Sequence, residues 1–170
     1  MERLNLNFDW GYSDHFDESM LACDADESAF ERVNIPHTNK EIPYNNFDET
    51  MYQFVSCYRK HFTVDKSLEG KRLVLEFEAA SVNAEVYVNG ETAFSHKGSY
   101  TAFRGDITSL VKWGEDNVIA VKLDSTERPE VPPFGNVIDY LVHGGIYREV
   151  YLYVHDDVYV DKAFDFVNYS

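Results

Sequence analysis

Along most of the chain, hydrophobic residues recur at every second position, the period of a strand with one buried face. In RLNLNF, Leu4, Leu6 and Phe8 alternate with Arg3, Asn5 and Asn7. QFVSCYRKHFTV sets Phe54, Ser56, Tyr58, Lys60, Phe62 and Val64 on one face, and RLVLEFEAA sets Leu73, Leu75, Phe77 and Ala79 opposite Glu76 and Glu78. In AEVYVNGETAF, Val86 and Val88 alternate with Glu85 and Tyr87 until Asn89-Gly90. That dipeptide supplies the positive φ angles of a type I′ turn and predicts a hairpin. NVIAVKLD (117–124) and REVYLYV (148–154) complete the set. Helix is scarce: DITSLVKWG offers an N-cap at Asp106 and one or two turns ending at Gly114. Eight or so strands separated by turn signals predict an all-β fold, an antiparallel β-sandwich of jelly-roll type.

Two stretches near the C-terminus break the pattern. Val131 to Tyr140 leans on Pro, Gly and aromatics, and Gly144-Gly145 then leads into the last long alternating run. After His155-Asp156, DVYVDKAFDFVNYS starts another alternating segment and stops. This predicts a sandwich over 1–156 and a connector strand over 157–170 that leads into a further domain. The alternative is an edge strand of the same sheet, with its ladder left open.

Composition narrows the function. The 170 residues hold 44% hydrophobic and 15% aromatic residues, enough for one well-packed core and too apolar for disorder. Thirty acidic residues against 15 basic ones give a net charge of −15. Polyanions are bound through Lys and Arg, so nucleic acid and anionic membrane surfaces are excluded as partners. No run approaches the ~18–20 apolar residues of a membrane span. MERLNLNFDW lacks the basic and apolar regions of a signal peptide, so the expected compartment is the cytoplasm, or the exterior had a leader been removed. Cys23 and Cys57 form no CxxC pair, and the six histidines show no HxxxH or HExxH spacing. No metal site or cofactor is implied; a structural Ca²⁺ or Na⁺ leaves no signature in the sequence.

Aromatic and carboxylate side chains on the loops of a β-sandwich suit carbohydrate, whose C–H faces stack on rings and whose hydroxyls pair with polar groups. Hydrolysis of a glycosidic bond needs two carboxylates, ~5–5.5 Å apart for retention or ~6.5–9.5 Å for inversion, and no pair stands out here. No GxSxG elbow is present. No catalytic residue is therefore assigned. Most aromatics, Trp10 and Trp113 among them, are expected in the core.

Five pieces in order carry a specific resemblance. LNFDWGYS, NIPHT, CYRKHF, the run EVYVNG…HKGSYTAF…GDIT, and GGIYREV resemble the sugar-binding domain of glycoside hydrolase family 2, the β-galactosidase, β-glucuronidase and β-mannosidase group. The resemblance runs nearly end to end. Ser99 stands where the family usually has Gly, and Cys57 where an aromatic is common. It implies a galactose-binding-domain-like jelly roll that packs on a catalytic (β/α)₈ barrel, with an immunoglobulin-like domain following 157–170. It also implies that both catalytic glutamates of a retaining hydrolase lie in that barrel, outside this chain. By position relative to the signature Ile146, Asp139 matches the family aspartate that reaches into the barrel and holds sugar hydroxyls. HTNKEIP resembles a loop of the galactosidase members whose asparagine touches substrate, which assigns Asn39.

Gly144 and Gly145 are read as giving a sharp turn from the site into the strand, Arg148 as structural, and His96 and Tyr100 as packing and hydrogen-bonding groups. The expected function is a non-catalytic sugar-binding domain of a β-galactosidase-type enzyme, with a β-glycoside and its own downstream domains as partners. Two alternatives stand beside it: a free-standing carbohydrate-binding module with its own groove of exposed aromatics, and a purely structural domain in which Asp139 is buried and paired.

Overall fold

The computed structural model describes residues 2–45, 48, 50–132, 134, 143–156 and 158–160. Ten strands lie among them: β1 (Glu2–Asn5), β2 (Trp10–Ser13), β3 (Glu31–Val33), β4 (Val55–Thr63), β5 (Arg72–Phe77), β6 (Asn83–Val88), β7 (Glu91–Lys97), β8 (Phe103–Asp106), β9 (Asp116–Asp124) and β10 (Val150–His155). All pair antiparallel, in a four-stranded sheet ordered β1-β10-β5-β8 and a six-stranded sheet ordered β3-β2-β4-β9-β6-β7. The two form the sandwich that the alternation predicts.

Period-two patterning builds the core between the sheets. Leu73, Leu75 and Phe77 of β5 are fully buried and face Val86 and Val88 of β6 and Ile119, Val121 and Leu123 of β9. Each buried side chain of this size contributes roughly 1.5–3 kcal/mol against exposure. Phe77 stacks on Phe103 at 5.1 Å, and the Trp10 indole N–H donates to the Leu6 carbonyl at 2.6 Å. The β6–β7 hairpin turns at Asn89 (φ 53°) and Gly90 (φ 84°), with a bulge between Val86 and Tyr87. Asn89 does more than turn the chain. Its amide donates to the Leu110 carbonyl and to Asn117 Oδ1, and its own Oδ1 accepts from Val118 N–H.

Three local expectations change. The alternation of the first segment stops early: β1 ends at Asn5, Asp9 adopts φ 57°, and Phe8 is left 67% exposed. The helical turn at Asp106 is a 3₁₀ turn over Thr108–Leu110, with the Asp106 carboxylate accepting from Thr108 N–H two residues on. The chain is extended again at Val111, because Gly114 N–H is drawn to the Val64 carbonyl. Strand β4 is buried on both faces, since Cys57 and Arg59 are as inaccessible as Tyr58. The reason is Arg59, whose guanidinium donates to Glu27 at 2.7 Å, to the carbonyls of Ala22 and Cys23, and to that of Met20, roofing the outer face with the 18–27 segment. The predicted connector over 157–170 lies outside the described residues apart from 158–160.

Candidate functional site

One end of the sandwich is built around the diglycine. Gly144 to Ile146 runs as a short extended piece between two others. On one side, His37 N–H donates to the Ile146 carbonyl at 2.8 Å and Asn39 N–H to the Gly144 carbonyl at 3.0 Å. On the other, Ser81 N–H donates to the Gly145 carbonyl at 3.1 Å. Both glycines are required by space. A methyl on Gly144 would lie 2.5 and 2.6 Å from the Asn39 amide atoms and 2.6 Å from Ser125 Oγ. Gly145 has φ +112°, and a methyl there would lie 2.4 Å from the His37 carbonyl. Glycine alone combines this φ with this approach.

Asn39 is the hub of this end and is only 4% exposed. Its Nδ2 donates to the Tyr52 carbonyl at 2.8 Å, its carbonyl accepts the Tyr12 hydroxyl at 2.7 Å, and its Oδ1 finds no hydrogen-bond partner among the described residues. Beside it, His37 Nδ1 pairs with the Tyr58 hydroxyl at 2.9 Å, and the His37 ring lies 4.7 Å from that of Tyr12. Burial depresses the His37 pKa, so the imidazole is neutral at pH 7, and burial raises both tyrosine hydroxyls. The Tyr52 hydroxyl donates to Glu127, and Glu127 N–H donates to Gln53 Oε1 at 3.3 Å.

An open cavity of about 520 Å³ lies against this hub, lined among others by Tyr12, Asp14, Glu31, His37, Asn39 and Lys40. Its walls are polar and mixed in charge, suited to hydroxyl-rich ligands. Among the described residues no group of three or more His, Cys, Asp or Glu is placed to hold a metal ion. No helix among them is long and apolar enough to cross a membrane.

Ser99 ties the approaches to the loop together. Its hydroxyl meets Ser81 Oγ at 3.0 Å and donates to the Pro132 carbonyl at 3.3 Å, while its carbonyl accepts the Tyr147 hydroxyl. The hydroxyl that distinguishes Ser99 from the family's usual Gly is thus in use. Asp139 lies outside the described residues. Ile146 is fully buried. The Arg148 guanidinium sits 6.0 Å from the centre of the Tyr147 ring. Asn89 and Gly90 belong to the opposite end of β6, away from this hub. His96 stacks on Phe103 at 4.5 Å and shares a hydrogen bond with Thr101.

Residues 11–156 match the family described as glycosyl hydrolases family 2, sugar binding domain. The chain belongs to that family. Relatives of this sugar-binding domain include a β-galactosidase of Thermoanaerobacter pseudethanolicus, 45% identical over 95% of this chain, and one of Thermoanaerobacterium thermosulfurigenes, 43% identical over 92%. The match takes up 22% of each relative, so the chain spans about a fifth of their length. Among solved structures, Bacteroides uniformis β-glucuronidase 2, covalently bound to cyclophellitol-6-carboxylate aziridine, superposes with a TM-score of 0.82 at 26% identity. That likeness covers 92% of this chain and 18% of the other. Of the stretches that carried the resemblance, NIPHT and GGIYREV lie at the diglycine end, and CYRKHF and EVYVNG lie in the core strands β4 and β6.

Sequence reasoning found Asn39, Gly144 and Gly145 but missed Tyr12, Tyr52, Tyr58, Ser81 and Glu127. Each of these pairs with a residue 13 or more positions away. His37 stood in NIPHT, yet nothing in the chain order pairs it with Tyr58.

Proposed function

We propose that this chain is the non-catalytic sugar-binding domain of a β-galactosidase-type retaining glycoside hydrolase, and that it lends Asp139 and Asn39 to a substrate site completed by a barrel domain. The substrate is a β-glycoside, and 157–170 leads toward an immunoglobulin-like domain. The observation that supports this most is the rigid seating of Gly144–Ile146 between His37–Asn39 and Ser81. It holds Gly144 to Ile146, shortly after Asp139 in the sequence, in one place. The β-galactosidase relatives at 45% and 43% identity support the sugar class. Asn39 would contribute through its Oδ1, a buried acceptor with no hydrogen-bond partner among the described residues.

The test is Asp139→Asn in the full-length enzyme. A hydrogen bond from a sugar hydroxyl to a carboxylate is worth ~1.5–3 kcal/mol, so kcat/KM falls about ten- to two-hundredfold. The reading requires that the melting temperature stay within about a degree or two of the parent. Unchanged kcat/KM removes Asp139 from the site. Loss of activity in step with loss of stability makes it a structural residue.

A further inference from the structure

A second cavity, of about 580 Å³, opens on the outer face of the six-stranded sheet and shares no lining residue with the first. This volume is within the ~300–1,000 Å³ typical of small-molecule sites. Its floor is two adjacent cross-strand rows of outward-facing side chains. Strand pairing sets Val55, Asp124, Asn83 and Lys97 side by side in one row, and Cys57, Lys122, Glu85 and Ser95 in the next. The segment after β9 makes the wall, with Arg128, Glu130 and Val131.

The chemistry of this floor is specific. Its charges are already matched: Lys122 Nζ sits 3.0 Å from Glu85 Oε1, and Arg128 2.6 Å from Asp124 Oδ2. Glu85 also accepts from the Tyr87 hydroxyl, and Asp124 from Thr126 N–H. Both carboxylates are held below their usual pKa, Glu85 by its bond to Lys122 against burial, and Asp124, against burial, by its bonds to Thr126 and Arg128. In a chain with twice as many acids as bases, this cavity is lined by three cations, Lys97, Lys122 and Arg128, against three anions, Glu85, Asp124 and Glu130. An ionic ligand would have to break one of these pairs. An uncharged polyol would not, because each hydroxyl both donates and accepts and can bridge a pair without displacing either member. One buried acceptor remains unsatisfied: Asn83 Oδ1, in the floor, has no hydrogen-bond partner among the described residues, and the exposed Lys97 has no carboxylate partner among them. Val55 in the floor and Val131 in the wall add apolar lining.

We propose that the outer face of β9, β6 and β7 is an autonomous binding site for neutral saccharides, centred on Asn83 and rimmed by Lys97 and Lys122. The site is complete within this chain and does not depend on the reading of Asp139. Its ligand is a pyranose presenting adjacent hydroxyls, the amide of Asn83 turning about χ2 to accept from one of them.

The isotope-labelled chain is titrated with methyl β-galactoside, followed by amide chemical shifts. Saturable shifts at outward positions of β6, β7 and β9, with a Kd of about 1–20 mM, are expected. Lys97→Ala, fully on the surface, and Asn83→Ala each weaken binding about fivefold or more, as loss of one hydrogen bond requires. Raising NaCl from 0.15 to about 1 M leaves Kd within twofold, since the ligand is uncharged. Absence of saturable shifts up to about 100 mM, shifts confined to His37–Lys40 and Gly144–Ile146, or an unchanged Kd in both variants overturns the proposal. So does a binding response that appears with galacturonate alone and vanishes at high salt. Unfolding of Asn83→Ala leaves Lys97→Ala to decide.

Discussion

Asn39 and Gly144 touch so closely that the glycine has no room for a methyl group: a Cβ there would stand 2.5 Å from the Asn39 amide nitrogen and 2.6 Å from its oxygen. The asparagine can therefore keep its bond to the Tyr52 carbonyl only beside a glycine. Gly144→Ala is expected to push the Asn39 amide aside or shift the strip paired with His37. Overpacking of this kind costs ~1–3 kcal/mol, about 2–12 °C in Tm for a chain of this length. Gly145→Ala is expected to cost more, because φ +112° adds backbone strain to a 2.4 Å approach to the His37 carbonyl. Thermal unfolding of the two variants orders them.

Arg59 has no exposed side-chain surface and binds Glu27 together with three backbone carbonyls of the 20–23 segment. Arg59→Ala leaves the carboxylate of Glu27, 13% exposed, without its main partner and those carbonyls without donors. Breaking one side of a buried pair costs about 3–5 kcal/mol. Arg59→Lys is expected to recover only part of this, because an ammonium cannot reproduce the planar fork. Urea denaturation gives both values, and equal stability of Lys and Arg would contradict the fork geometry.

Histidines set opposing pH slopes. His61 lies between Glu27 at 2.9 Å and Asp116 at 2.6 Å, and these bonds and charges raise its pKa against the opposing effect of burial. A raised pKa means that its contribution is fully present below the unfolded value near 6.5 and is lost as pH rises through the folded value. His37 and His96 are depressed by burial, so their contribution is present above that value and is lost as pH falls through their folded pKa. Stability of the parent chain is thus expected to fall from its His61 term above neutral pH. In His61→Asn that loss disappears, and the remaining slope between about pH 5 and 7 rises with pH. Chemical denaturation across this range reads both signs.

Asn89 is expected to tolerate Gly poorly despite the turn. Glycine keeps φ 53° without strain but removes the bonds to Leu110, Asn117 and Val118. At ~0.5–1.5 kcal/mol for each net hydrogen bond, loss of the three costs Asn89→Gly about 1.5–4.5 kcal/mol. A variant as stable as the parent would show that the turn conformation is all that Asn89 supplies.

The sandwich was legible because period-two patterning is a local signal, and Leu73, Leu75, Phe77, Val86 and Val88 obey it without exception. Where a second layer covers a strand, the pattern misleads. Arg59 reads as an outward residue of β4 until the 18–27 segment is folded over it. Phe8 reads as a core residue until Asp9 turns the chain away. At the diglycine end, Asn39, Gly144 and Gly145 were visible as motif residues. Their partners were not, since Tyr12, Tyr52 and Ser81 reach them across the fold rather than along the chain. The outer-face cavity had no sequence signature, because its rows exist only once three strands are in register.

Ser99 meets the carbonyl of Pro132 with its hydroxyl and the hydroxyl of Tyr147 with its carbonyl. The two approaches to the intervening segment are therefore gathered at one point before any of its own residues is specified. Closing a loop between ends that the scaffold already holds costs little more when the loop grows, about 0.6 kcal/mol for each doubling of length. Ser99 thereby sets the span that the stretch between Pro132 and His143 has to bridge, whatever residues occupy it.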